Sequence, residues 1–130
     1  LEACGACILV TTADAASLRR CRVMLGLLAR IGLPGPRGLL VVLNQWASGG
    51  SLSLSRVESF LERRVTITLG SDARVVESSV FNGRPMVMTH RNHAVSEAFF
   101  QLAGELEPGL RGPARARGGW HVALRRRFIK

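Results

Sequence analysis

An α/β fold, one half of a doubly wound and mainly parallel sheet, is what the sequence predicts, and two observations carry that prediction. Strand-length apolar runs alternate with amphipathic helical segments in the order β-α-β-α-β-α-α. The strand runs are too continuously apolar to keep one wet face, the pattern of strands covered on both sides. Parallel strands joined by right-handed helical crossovers satisfy both features. At 130 residues the chain falls in the size range of one domain and is long enough to bury a core without staples.

The first strand is "ACILVTT", Ala6 to Thr12, expected at the centre of the sheet. Asp14 can cap the helix that follows, in which Leu18, Cys21, Leu25 and Leu28 recur at helical spacing while Arg19, Arg20, Arg22 and Arg30 take other faces. Gly32 and Pro34 end that helix. "GLLVVLN" is the second strand, ending on Asn44, and a polar Gly/Ser loop follows. Ser53 or Ser55 can cap a short helix carrying Val57, Phe60 and Leu61, before a third strand, Val65 to Leu69. Asp72 caps a helix from about Ala73 to Phe81, closed by Asn82-Gly83. The segment "GRPMVMTHRN" reads as a loop. A last amphipathic helix runs from about Ala94 to Leu106, with Val95, Ala98, Phe99, Leu102 and Leu106 on its apolar side. Pro108, Gly109, Gly112 and Pro113 mark the end of the compact part, so the expected division is a partial domain over 1–107 and a basic tail over 108–130.

The formal net charge of +9 is not spread through the fold. Arg111, Arg115, Arg117, Arg125, Arg126, Arg127 and Lys130 stand in the tail without an acid, and the body is near neutral. Cys4, Cys7 and Cys21 are an odd number at apolar positions, which fits reduced thiols rather than a secreted disulfide framework. Cys4-x-x-Cys7 has the spacing of half a zinc site, but no second pair completes it. His90 and His93 lack a third ligand in register and read as part of a polar loop. Ser51, Ser53 and Ser55 have no Gly-x-Ser-x-Gly context and read as capping residues, and Glu58, Glu62 and Glu77 as solvated helix faces. No apolar run reaches the roughly 18–20 residues needed to span a bilayer. The sequence begins at Leu1, directly before a strand, and we expect it to be part of a larger protein.

In open parallel sheets, ligands bind at the carboxyl ends of the strands. That rule singles out three turns expected side by side: Thr11 to Asp14, Asn44 to Trp46, and Gly70 to Arg74. Asn44 offers donors and an acceptor on one amide, the combination that pairs with adenine's amino group and a neighbouring ring nitrogen. The alternative is a turn amide bonded to its own backbone. A guanine reader of the Asn-x-x-Asp type would need an acid where Ala47 stands. Trp46 is either a stacking platform or an anchor of its loop.

Taken together, "ACILVTTADAASLRRCRVMLGLLARIGL", "GLLVVLNQW" and "VTITLGSDARVVESSVFNGRP" resemble the C-terminal half of the MinD/ParA type of deviant P-loop ATPases, and most closely the CpaE/TadZ proteins of Flp (tight adherence) pilus assembly. The likeness covers about Ala3 to Leu106. It implies the C-terminal half of a P-loop NTPase-type sheet. By that resemblance Asn44 matches the adenine-contacting Asn, Gly70, Ser71 and Asp72 match the Pro-x-Asp turn lining the base pocket, Arg74 and Val75 follow in its wall, and Gly83-Arg84-Pro85 matches the loop after the next helix. Gly70 stands where the family has Pro, which loosens the turn.

The chain has no Gly-x-x-x-x-Gly-Lys-Ser/Thr loop and no switch Asp for magnesium. The resemblance therefore implies ATP held on its adenine side only, with magnesium bound only through an N-terminal half that this sequence lacks, and no hydrolysis by this chain alone. It also implies a homodimer in the full-length protein, pilus or secretion machinery as partner, and a cytoplasmic location at the inner face of a bacterial membrane. A non-hydrolysing scaffold of the same fold and a partitioning or septum-site ATPase are the alternatives. In the tail, Trp120, Leu124 and Phe128 recur at every fourth position among Arg125, Arg126, Arg127 and Lys130, a candidate contact for an anionic membrane, with a disordered basic extension as the alternative. For nucleic acid the same charges give only an electrostatic signal.

Overall fold

The structure, a computed structural model, describes residues 6–32 and 38–107. Cys4, Pro34 and the whole basic tail, with Trp120, Arg125, Arg126 and Arg127, lie outside the described residues. Three strands, β1 (Cys7–Thr12), β2 (Leu39–Trp46) and β3 (Ile67–Gly70), form a parallel sheet in the order β1-β2-β3. The helices are α1 (Ala15–Arg30), α2 (Leu54–Leu61), α3 (Ala73–Phe81), α4 (Met86–Thr89) and α5 (Ala94–Leu106).

The expected α/β class and parallel sheet are present. Side-chain oxygens of Asp14, Ser53 and Asp72 accept hydrogen bonds from the backbone N–H of Ser17, Arg56 and Val75, which starts α1, α2 and α3 where the sequence places them. Leu18 and Cys21 of α1 and Val57 and Leu61 of α2 bury against Val41 and Leu43 of β2. On the other face, Ala98 and Leu102 of α5 cover Val42 and Leu69. Val41, Val42 and Leu43 are at most 1% exposed, so β2 is covered on both faces.

Several expectations are corrected. β2 is the middle strand of the described sheet and β1 is its outer strand, because β1 pairs only with β2 among the described residues. Its second face is also open, since α5 packs over β2 and β3: Val10 is 57% exposed, and Ile8 on the same face is also exposed. The second strand continues past Asn44 to Trp46 across an irregularity, with Leu43 paired to Thr68 and Trp46 paired to Gly70. One extra residue thus sits on β2, and Gln45 adopts φ 53 there. "GRPMVMTHRN" is not wholly a loop, since Pro85 precedes the single turn α4, whose Met86 is buried. Nor are Glu58 and Glu62 merely solvated. Glu58 Oε1 accepts from the Val65 N–H at 2.9 Å, and Glu62 pairs with Arg22, which also donates to the Phe60 carbonyl and lies over the Phe60 ring.

The third strand begins two residues later than expected because a side chain takes over part of its ladder. The Thr66 N–H donates to the Val41 carbonyl at 2.7 Å, while the Thr66 hydroxyl accepts from the Val41 N–H at 3.1 Å.

Candidate functional site

All three strands point their carboxyl ends the same way, so their following turns share one rim. Thr12 is paired with Asn44, and Trp46 with Gly70, which sets the three turns side by side as their sequence positions predict. Asn44 lies on the middle strand, with the β1 turn on one side and the Gly70-Ser71-Asp72 turn on the other. Half-buried, its amide has no hydrogen-bond partner among the described residues. The reading of a turn amide bonded to its own backbone therefore does not hold here.

Asn44 lines a groove of about 320 Å³ along the outer edge of β1, together with Thr11, Thr12, Ser17, Arg20 and Met24. Gly70, Ser71, Asp72 and Arg74 are not part of that groove and stand on the opposite side of Asn44. Ser71 and Arg74 are exposed, Arg74 in the first turn of α3. Trp46 packs against the core shared by β2, α1 and α2 and borders the loop over 48–53 and the start of α2, so its ring is the anchor of that loop.

On the β1 side, the Thr12 hydroxyl donates to Asp14 Oδ2 at 2.5 Å, and Asp14 Oδ1 accepts from the Ser17 N–H at 2.9 Å. The hydrogen bonds from Ser17, then that from Thr12, hold the Asp14 carboxyl well below the usual carboxylate range. Burial pushes the Cys21 thiol up, which suits a packing residue rather than a nucleophile. Cys7 and Cys21 are free thiols.

On the β3 side, Asp72 uses both carboxylate oxygens. Oδ1 accepts from the Val75 N–H at 3.3 Å and caps α3, while Oδ2 accepts from His93 Nε2 at 3.0 Å. The backbone bond from Val75, followed by the His93 hydrogen bond, lowers the Asp72 pKa. The role of His93 is what sequence reasoning missed. The residue is the N-cap of α5, its Nδ1 accepting from the Val95 N–H at 3.3 Å, and not a residue of a featureless loop. Its place directly before the apolar periodicity of α5 was the available signal.

What these groups offer chemically is hydrogen bonding: Asn44 has a donor and an acceptor at the rim, and the Asp72 carboxylate joins the starts of α3 and α5. No group of three or more His, Cys, Asp or Glu among the described residues is placed to hold a metal ion. Among the described residues no helix is long and apolar enough to cross a membrane.

No family model and no curated protein matches the chain. Solved structures do. The MinD cell division protein of Aquifex aeolicus superposes with a TM-score of 0.68 at 20% identity, over 86% of this chain and 47% of that one. The ParA family ATPase of Chlorobium tepidum TLS gives 0.65 at 19% identity, over 77% and 40% respectively. The septum site-determining protein MinD of Pyrococcus horikoshii OT3, a complex with Mg-ADP, gives 0.66 at 21% identity, over 79% and 41%. This chain spans less than half the length of each of these proteins. Over that span it has the α/β fold of the MinD and ParA ATPases.

Proposed function

We propose that this chain supplies the base-side half of an adenine-nucleotide site in a MinD/ParA-like ATP-binding protein. The observation that carries the reading is the uncommitted amide of Asn44 at the carboxyl rim of a parallel sheet, half-buried and flanked by two strand-end turns. A half-buried amide with no internal partner favours a ligand that completes its hydrogen bonds. Adenine fits this donor and acceptor pair.

The sequence has no phosphate-cradling Gly-x-x-x-x-Gly-Lys-Ser/Thr loop, and its described residues offer no metal cluster. Phosphates and magnesium would have to be held by residues beyond this chain. Here Asn44 would orient the base, the Gly70-Ser71-Asp72 turn and Arg74 would wall it, and hydrolysis would require the rest of the protein. The "GLLVVLNQW" and "VTITLGSDARVVESSVFNGRP" segments support a finer assignment to the CpaE/TadZ type, in localisation or assembly of a Flp pilus or its secretion machine as a homodimer at the inner face of the membrane.

A second reading, a non-hydrolysing interaction module of the same fold, is favoured by an apolar surface. Val76 and Val80 on α3, Phe81 at its end and Met88 on α4 are all exposed, Phe81 to 93%. Nucleotide titration of the complete protein separates the two readings. The base-site reading expects ATP binding that Asn44→Ala weakens about tenfold, the loss of roughly one to two hydrogen bonds. Unchanged affinity in Asn44→Ala would remove the base assignment. The neighbouring genes discriminate within the fold: pilin and secretion genes for the pilus role, a centromere-binding partner gene for partitioning, and septum-placement genes for the MinD-like role.

A further inference from the structure

The bond between Asp72 and His93 joins two helix starts that are far apart in sequence. His93 Nδ1 accepts from the Val95 N–H, so that nitrogen carries no proton, and Nε2 is therefore the donor to Asp72 Oδ2 at 3.0 Å. Asp72 in turn caps α3 through Oδ1. The turn it closes opens with Gly70, whose backbone is free of side-chain restriction; a Cβ there would meet only Val95 Cγ2, at 3.9 Å. Gly70 itself is paired with Trp46 at the end of β3, so it is the Ser71-Asp72 side of the turn that a further contact must fix. His93 does so from the start of α5, the helix packed on β3.

We infer that His93 is a positioning residue for base recognition, holding the Asp72 carboxylate and with it the Gly70-Ser71-Asp72 turn in place beside Asn44. This rests on the adenine reading of the site. A turn ordered before the ligand arrives spares the nucleotide the entropy cost of ordering it, so the tie contributes to affinity without touching the base. The turn stands beside the strand end that carries Asn44, so the contribution falls on the base side of the site and not on the phosphates.

The test uses the complete protein and three single variants, titrated with a fluorescent adenine nucleotide and, by competition, with inorganic tripolyphosphate. His93→Asn keeps an acceptor for the Val95 N–H, so α5 stays capped, but its side chain is too short to reach Asp72. His93→Gln restores an amide donor at the distance of Nε2. The expected result is adenine-nucleotide affinity about tenfold weaker in His93→Asn, as for losing a hydrogen bond to a charged group, with tripolyphosphate affinity unchanged and most of the loss recovered in His93→Gln. Wild-type nucleotide affinity in His93→Asn, alongside a weakened Asn44→Ala, would overturn the inference and leave the base site standing. Equal losses for nucleotide and tripolyphosphate in His93→Asn would also overturn it, by reducing His93 to a structural role. An unaffected Asn44→Ala would instead bring down the base reading itself, and this inference with it.

Discussion

His93 Nε2 and Asp72 Oδ2 lie 3.0 Å apart across 21 residues of sequence, and this contact ties the first turn of α3 to the first turn of α5. It makes Asp72 the shared foot of two helices rather than an ordinary helix cap. The consequences are measurable in stability as well as in binding.

Asp72 should make the fold sensitive to acid. The Val75 N–H and then His93 favour its ionised form, so its pKa is lower folded than unfolded. Such a group stabilises the fold above the unfolded pKa, and that contribution is lost as the pH falls from about 4 through the lower folded value. Asp72→Asn should have a lower urea midpoint at pH 6, and the gap from wild type should shrink by pH 3. A constant gap across that range would contradict the assignment.

Ser96 should be replaceable at a gain. Its hydroxyl is fully buried on α5 and is the one buried side-chain polar atom among the described residues without a partner. Leaving such a group unsatisfied costs about 1–3 kcal/mol, and alanine removes the group with little loss of volume. Ser96→Ala is expected to raise stability by about 1 kcal/mol in chemical denaturation. Destabilisation would mean that the hydroxyl has a partner in solution.

Gln45 holds a left-handed backbone at φ 53. An L side chain costs roughly 1 kcal/mol in that region and glycine does not. Gln45→Gly should therefore raise the thermal midpoint while leaving Asn44-dependent nucleotide binding intact. A lower midpoint would show that the Gln45 side chain contributes more than its strain costs.

The basic tail is expected to attach the protein to anionic surfaces through Trp120, Arg125, Arg126 and Arg127. Vesicles containing anionic lipid should co-sediment the complete chain far better than one truncated after Leu110, and added salt should narrow the difference. Equal sedimentation of the two would remove the membrane role.

Helix starts were legible because capping is local. Asp14, Ser53 and Asp72 each serve an N–H three residues ahead, and the 3.6-residue periodicity of α1 and α5 needs no knowledge of the partner. What stayed hidden depended on distant chain. β1 reads as apolar on both faces, but which strand lies in the middle is decided by pairing, and Val10 alone does not reveal that its face is open. A single turn such as α4 is too short to show a period. His93 reads only as part of a polar loop because its partner lies 21 residues away, and Asn44 was legible only as a candidate, since whether an amide is already satisfied is a property of the packed structure.

The extra residue in β2 acts as a change of phase. Side chains along a strand alternate between its faces, so Leu43 and Trp46, three positions apart, should oppose each other, yet both pack into the core beneath α1 and α2. The half-step at Gln45 is what makes this allowable. It lets one strand run as buried wall through Leu43, present Asn44 at the lip, and re-enter the interior with Trp46 to pin the loop behind it. Deleting Gln45 would put the strand back in step with the indole two positions from Leu43 and still on the core face, and would remove the left-handed kink beside Asn44.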